Sequence, residues 1–318
     1  MHYSKIVSTG HFLPKNILTN QDLERLIDTS DDWITIRTGI KSRHIVSDET
    51  VADMGYYAAL EAIDNAKIDP NEIDLIIVAT TSGSHAFPSS ACLIQTKLGI
   101  EVCTSFDVAA ACTGFVYALE IANQFISSGK IKKALVIGAD ALSTTVNKQD
   151  RSTVVLFGDG AGAIILEASS DKNSRIIDTY TRATTSNNDC LVLPNRPRQS
   201  DESAFLEMQG NILFKIAVNE LAHVTEHILK INNLTANDVD WLIPHQANLR
   251  IIKATAKKLN LGTDKLILTV TEHGNTSAAS IILALHQGII DGRVKRGNTL
   301  LLESFGGGLT SGSALIKY

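Results

Sequence analysis

Four short, nearly unbroken apolar runs punctuate the chain: Leu75-Ile76-Ile77-Val78, Ala134-Leu135-Val136-Ile137, Trp241-Leu242-Ile243 and Leu300-Leu301-Leu302. A run of that length without polar alternation reads as a strand covered on both faces. The stretches between the runs are long enough for helices. From Thr50 to Ala66 the apolar or small positions Val51, Met54, Ala58 and Ala62 step by three and four, which predicts an amphipathic helix feeding the first strand. Helices and strands alternating in this way predict an α/β fold.

The pattern also repeats. Asn71-Glu72-Ile73-Asp74-Leu75-Ile76-Ile77 reads against Asn237-Asp238-Val239-Asp240-Trp241-Leu242-Ile243, an offset of 166 from Asp74 to Asp240. Gly129-Lys130-Ile131-Lys132-Lys133 reads against Gly292-Arg293-Val294-Lys295-Arg296, an offset of 163 from Gly129 to Gly292. Both pairs precede an apolar strand, in the same order, so the chain is expected to contain a duplicated unit. The halves are expected at about 1–170 and 171–318, packed tightly about a pseudo-twofold axis, because no Pro/Gly/Ser linker separates them.

Composition narrows the class. With 318 residues, 44% apolar and 20% charged, the chain can bury a large core, which excludes disorder and a coiled coil. The net charge of −5, without an extended basic block, argues against nucleic acid but leaves room for a local basic patch. No apolar run reaches membrane-spanning length, and the start Met1-His2-Tyr3-Ser4-Lys5-Ile6 lacks the features of a secretory leader. A cytoplasmic protein that does not engage a membrane is expected. Cys92, Cys103, Cys112 and Cys190 form neither CxxC pairs nor zinc-like spacings with histidines, so free thiols and no metal are expected.

Chemistry concentrates at a few places. Cys112 lies where the strand-like Phe106-Asp107-Val108 gives way to a helical pattern, and a helix start favours the nucleophilic thiolate. Taken alone, a cysteine among alanines is more often a small core residue. His245 follows the apolar strand of the second half, at the kind of strand end where α/β sites assemble. Asn275, in Gly274-Asn275-Thr276-Ser277, precedes a helical run and, taken alone, is more often a turn or cap residue than part of a site. Gly158-Asp159-Gly160-Ala161-Gly162 has the wrong spacing for a dinucleotide loop and is expected to form a hairpin-like turn. Phe305-Gly306-Gly307-Gly308 fits a strand-to-strand turn, or a place where backbone N–H groups approach a substrate oxygen.

Taken together, Ala110-Ala111-Cys112, Pro244-His245-Gln246-Ala247-Asn248, Gly274-Asn275-Thr276-Ser277-Ala278 and Phe305-Gly306-Gly307-Gly308 resemble the β-ketoacyl-acyl carrier protein synthase III family. The resemblance extends through Trp33 to Ile40, His85 to Ser89, Asp150-Arg151 and Phe157 to Ala161, covering nearly the whole chain. It implies the thiolase-like fold, five αβαβα layers with an internal pseudo-twofold duplication, and a homodimer. It further implies initiation of type II fatty acid synthesis by decarboxylative condensation of a short acyl-CoA with malonyl-acyl carrier protein, the CoA thioester being substrate and no cofactor being needed.

By the same resemblance Cys112 would carry the acyl group, while His245 and Asn275 would stabilise the enolate left by decarboxylation. Backbone N–H groups of Cys112 and Gly306 would form the oxyanion hole. Trp33 and Arg151 would sandwich the CoA adenine, with Arg37, Asn211, Ala247 and Asn248 along the pantetheine and phosphate route. Phe87 would close the partner subunit's acyl pocket, its bulk suiting a short primer such as acetyl. Arg250, Lys253, Lys257 and Lys258 would dock the acidic carrier protein, the first three on one helix face. One departure stands out: Ser311 follows Thr310 where the family commonly has Trp. The stretch 184–204 is expected to be a loop bearing on chain-length preference.

Rival readings are a type III polyketide synthase, which shares a Cys, His and Asn set, and a noncatalytic module binding CoA or carrier protein. The contexts of Phe87 and Trp33 oppose the first, and an intact Cys112, His245 and Asn275 oppose the second. Elongating synthases use two histidines and thiolases a second cysteine, which the Gly274-Asn275 context opposes. A papain-like hydrolase would need cysteine and asparagine contexts that are missing.

Overall fold

The computed structural model describes residues 2–194 and 204–318. Two sheets frame it. The first has five strands in the spatial order Tyr3–Phe12, Asp159–Ser169, Lys133–Ala141, Leu75–Ala79, Thr104–Val108. The second has four, ordered Arg175–Ala183, Thr310–Lys317, Thr299–Gly306, Trp241–Pro244. Leu266 adds a single parallel bridge to Leu242, where the first sheet has its fifth strand.

Register makes the duplication explicit. Leu75 pairs with Ala134 and Trp241 pairs with Leu300, so both partners advance by the 166 residues read from the sequence. The shorter offset at Gly129 and Gly292 has a local cause. Each glycine closes off a central helix with left-handed backbone, φ 76° and 75°, a conformation that glycine adopts without penalty. The chain then takes longer to reach Thr299 than it took to reach Lys133.

Alternation along the strands builds the layers. Leu75, Ile77, Ala134 and Val136 face inward, and Ile76, Val78, Leu135 and Ile137 face outward. Helices Gly114–Ser127 and Ser280–Ile290 pack in the inner cluster with strand residues of both sheets, among them Ile243, Leu300, Leu302 and Ala314. Covered on both sides, Ser280–Ile290 is apolar nearly all round. Helices Val51–Ala66 and Ser90–Leu98 cover the first sheet, and Gly210–Ile231 and Leu249–Lys258 the second. The result is the αβαβα stack. Val51–Ala66 starts where its periodicity predicts, with Thr50 and Asp53 forming a capping box.

The hairpin expected at Gly158–Gly162 does not form: residues 159–162 open the long strand Asp159–Ser169 after a short helix, Arg151–Val154. The glycines serve close packing instead. A side-chain carbon at Gly162 would lie 2.3 Å from Ile282 Cγ2, and one at Gly158 would lie 2.4 Å from the His273 carbonyl. Within the expected loop 184–204, Asn188–Cys190 forms a 3-10 turn and Leu191–Val192 pairs with Glu207–Met208. Arg196, Pro197 and Arg198 fall outside the described residues.

Candidate active site

The strand Thr104–Val108 leads into a sharp elbow before helix Gly114–Ser127. Ala111 takes φ 46°, a conformation that costs a non-glycine residue on the order of 1 kcal/mol. The hairpin of the other sheet holds it there. Ser304 Oγ donates to the Cys112 carbonyl at 2.8 Å, and Thr113 Oγ1 donates to the Thr310 carbonyl at 3.1 Å. A side-chain carbon at Gly306 would lie 2.8 Å from the Cys112 backbone nitrogen and 3.1 Å from that of Thr113. Glycine therefore keeps a side chain off the Cys112 and Thr113 backbone, while Gly306 also ends the strand Thr299–Gly306 and starts the turn.

Cys112 is 7% exposed. Burial pushes its thiol up to about 12, a contact with Ser277 opposes this, and the Asp140 carboxylate adds to it. The helix start was expected to favour thiolate; burial in the cavity opposes it.

His245 sits just past strand Trp241–Pro244, with its N–H donating to the Glu303 carbonyl at 2.8 Å. Its Nδ1 lies 2.7 Å from Ser280 Oγ, which also accepts the Gln246 N–H at 3.2 Å. Among the described residues, the Ser280 hydroxyl hydrogen meets no other acceptor than Nδ1. The imidazole proton is thereby assigned to Nε2. Burial takes His245 down to about 3, so the ring is neutral at physiological pH.

Asn275 is clamped by backbone on both sides, donating to the Leu156 carbonyl at 2.8 Å and accepting from Gly158 N–H at 3.0 Å. Its Oδ1 accepts the Ser277 N–H at 2.9 Å, which leaves the amide NH2 as the free end. Cys112, His245 and Asn275 line one cavity of about 120 Å³, walled by Leu156, Phe157, Leu191, Met208, Leu213, Phe214 and Phe305. Most of these wall residues, and Ser280, Ser277 and Ser304, carry no signal of their own in the sequence. The repeat could have flagged Ser280, which stands 166 residues after Gly114, the first residue of the equivalent helix.

Ala247 and Asn248 also line the cavity. Asn248 is largely committed to structure: its Oδ1 accepts the Arg250 N–H at 2.8 Å, and its Nδ2 donates to the Arg37 carbonyl at 3.1 Å. Asn211 is exposed beside cavity-lining Gly210. Trp33 carries Arg37 at 4.8 Å and Arg151 at 4.6 Å from its ring. That spacing leaves no room for a purine between Trp33 and Arg151, so a sandwich requires Arg151 to swing off the ring and release its bond to the Asp28 carbonyl at 3.0 Å. Phe87 is 85% exposed and takes no part in its own chain's cavity. Arg250, Lys253, Lys257 and Lys258 are exposed on helix Leu249–Lys258. Ser311 is buried where the family's Trp would stand, and its hydroxyl donates to Glu220 Oε2 at 3.3 Å.

Comparison with known proteins agrees along the whole chain. Residues 106–185 match the family model described as 3-oxoacyl-[acyl-carrier-protein] synthase III, and residues 229–318 match its C-terminal counterpart. A β-ketoacyl-[acyl-carrier-protein] synthase III of Pasteurella multocida is 58% identical over 318 residues, covering 99% of this chain and 100% of the relative. A second, from Vibrio parahaemolyticus, is 56% identical with 99% and 100% covered. The crystal structure of 3-oxoacyl-[acyl-carrier-protein] synthase III from Aquifex aeolicus superposes with a TM-score of 0.94 at 48% identity, covering 99% of this chain and 100% of that one. With the five-layered duplicated fold and the Cys, His and Asn cavity already in place, the chain belongs to the 3-oxoacyl-[acyl-carrier-protein] synthase III family.

Proposed function

We propose that the chain performs the initiating condensation of fatty acid synthesis, joining a short acyl-CoA, acetyl-CoA above all, to malonyl-acyl carrier protein. One observation carries the reading: a nucleophile and two neutral hydrogen-bond donors, drawn from three separate loops, converge on one small apolar cavity. Cys112 sulfur attacks the acetyl carbonyl, the S–C bond forms, and CoA leaves as the thiol with the proton from Cys112. Backbone N–H groups of Cys112 and Gly306 hold the oxyanion. The malonyl thioester then loses CO2, and its enolate oxygen is held by His245 Nε2–H and the Asn275 amide. The enolate carbon attacks the acetyl carbonyl, a C–C bond forms, and the bond to Cys112 breaks, leaving a thiolate that takes up a proton from solvent. Every charge that develops meets a donor already in place, so the chemistry needs no cofactor.

A cavity of about 120 Å³ suits a short primer. A homodimer fits the edge of the first sheet, where strand Thr104–Val108 has no outer neighbour and Phe87 and Val102 are exposed nearby. Phe87 would then close the partner's cavity. Among the described residues no helix is long and apolar enough to cross a membrane, and the cytoplasm is the compartment where CoA and carrier-protein thioesters are used.

The two half-reactions test the assignment. His245→Ala and Asn275→Ala should each lower CO2 release from malonyl carrier protein by about 10²–10³, while transfer of radiolabelled acetyl from CoA to Cys112 persists. Equal loss of both steps in His245→Ala would make His245 the base that activates the thiol and overturn its role as a donor.

A further inference from the structure

Away from the cavity, one cluster has no part in condensation. His11 on strand Tyr3–Phe12, Glu61 on helix Val51–Ala66 and His286 on helix Ser280–Ile290 bring one ligand atom each to within 4.8 Å of one another. His11 Nδ1 lies 2.7 Å from Glu61 Oε2, and its backbone N–H donates to the same oxygen at 2.6 Å. The His11 and His286 rings stack with centroids 4.4 Å apart. His286 is 3% exposed, and Thr9 Oγ1 holds its Nδ1 at 2.9 Å. The other nitrogen is the anomaly. His286 Nε2 is buried without a hydrogen-bond partner among the described residues, and it faces Glu61 Oε1 at 3.7 Å, beyond hydrogen-bond range. A buried polar atom left unpaired calls for a partner that protons alone do not supply.

We propose that His11, Glu61 and His286 form a site for a divalent transition-metal ion of the zinc class. Two imidazole nitrogens and a carboxylate suit zinc, cobalt or nickel, whereas magnesium and calcium prefer all-oxygen shells. Thr9 occupies the place of the outer partner that orients a ligating imidazole through its second nitrogen. Tetrahedral ligands at about 2.1 Å from a metal stand roughly 3.4 Å apart, so His11 and Glu61, 2.7 Å apart, have to open, Glu61 and His286, 3.7 Å apart, have to close, and the His11 ring has to turn off its stack on His286. The half-exposed His11 and Glu61 side chains have the freedom to do so, and they leave an opening for the ion and a completing water. Such an ion would clamp the strand Tyr3–Phe12 and the outer helix Val51–Ala66 to the central helix that begins at Ser280. Its effect is on stability rather than on chemistry. The three ligands are scattered over 275 positions from His11 to His286, which is why no spacing in the sequence announces them.

The intact enzyme, His11→Ala and Glu61→Gln should each be dialysed to equilibrium against micromolar zinc chloride and their bound zinc measured. Zinc on the free thiols is common to all three proteins. The wild type is expected to hold one more zinc per chain than either variant, and zinc should raise the thermal midpoint of the wild type alone. Condensing activity without zinc, unchanged in both variants, confirms that they are folded; should His11→Ala fail to fold, Glu61→Gln decides. Equal zinc content in wild type and variants overturns the site. So does a wild-type midpoint that ignores zinc, or one that magnesium chloride raises as much.

Discussion

The two halves of the molecule build the same elbow and use it differently. Ala111–Thr113 before helix Gly114–Ser127, and Ser277–Ala279 before helix Ser280–Ile290, are 3-10 turns 166 residues apart, and both open on a non-glycine residue with left-handed φ, 46° at Ala111 and 51° at Ser277. At that offset Cys112 corresponds to Ala278, Ala79 to His245, Gly114 to Ser280, and Asp140 to Gly306. In the second elbow the Ala278 N–H is taken by the Asp140 carboxylate at 3.3 Å. In the first, Gly306 stands at that place and has no side chain to offer the Cys112 N–H. Where the first half packs Gly114 against Ala79, with a would-be side-chain carbon 3.1 Å from Ala79 Cβ, the second half has His245 bonded to Ser280. One elbow thus carries Cys112 with no carboxylate on its N–H; the other has its N–H taken by Asp140 and holds His245 through Ser280.

The harshest way to break this asymmetry is to make the first elbow like the second. Gly306→Asp would place a carboxylate where Asp140 stands in the other half, against the Cys112 N–H. Acetyl transfer to Cys112 should fall by at least about 10²–10³, because an oxyanion-hole donor is blocked. Gly306→Ala, whose added carbon would meet the Cys112 nitrogen at 2.8 Å, should do nearly as much. Acetylation measured by mass on folded protein decides, and near-normal transfer in both variants would remove Gly306 from the oxyanion hole.

A second asymmetry lies on the same strands, one face over. Glu303 corresponds at the 166 offset to Ile137, a residue of the outer apolar cluster. Its Oε2 accepts the Thr225 hydroxyl at 2.7 Å, its Oε1 has no partner among the described residues, and burial pushes the carboxyl up to about 8 from an ordinary 4.5. The folded state therefore keeps a proton that the unfolded state has lost. Its stabilising contribution is complete below pH 4.5 and declines as pH rises to about 8. Relative to Glu303→Gln, the wild type should lose a few kcal/mol of unfolding free energy over that window, since each tenfold change in proton affinity is worth about 1.4 kcal/mol. Urea unfolding at pH 5, 6.5 and 8 checks it; parallel curves for the two proteins would mean that Glu303 ionises freely.

The Ser280 contact sharpens the comparison more finely. Ser280→Ala removes the group that assigns the His245 proton to Nε2, at a cost near that of one hydrogen bond, about 1 kcal/mol. CO2 release should drop roughly five- to tenfold while acetyl transfer stays within error of the wild type. Ser280 acts through His245 without touching substrate, so it is a positioning residue. Equal loss in both steps would mean instead that Ser280 supports the elbow as a whole.

These pairings also mark where sequence reading works. The apolar strands and the 166 offset are local patterns, whereas Cys112, His245 and Asn275 stand out only when their motifs are taken together, each alone fitting a core, structural or cap position. What Asp140, Ser280 and Gly306 do is set by approach across the two sheets, and no window of sequence contains both sides of such a contact. The Gly158–Gly162 run misled for the same reason, since its glycines answer to His273 and Ile282 rather than to a turn. The thiol of Cys112 follows suit: the helix start is visible in the chain, but the burial that opposes it comes from walls as remote as Leu191, Met208 and Phe305.

The mildest contrast is between the outer helices. Ser90–Leu98 on the first sheet carries one cation, Lys97, which pairs with Asp53 at 2.8 Å. Leu249–Lys258 on the second carries Arg250, Lys253, Lys257 and Lys258, none in an ion pair among the described residues. Its Ile251 lines the cavity, and Arg250 lies over Phe214, another cavity residue, at 5.5 Å. An acidic carrier protein drawn to these cations would arrive with its thioester at the opening, whereas nothing on the first-half helix offers a comparable field. Such attraction between exposed charges is worth little at contact and acts mainly on encounter. Lys257→Glu should therefore raise KM for malonyl carrier protein several-fold at about 0.05 M salt. The difference should shrink toward 1 M, where screening falls to about 3 Å. Transfer of acetyl from acetyl-CoA to Cys112 should not change. A KM unaltered at low salt, or a defect as large at 1 M as at 0.05 M, would place the carrier's docking surface elsewhere on the molecule.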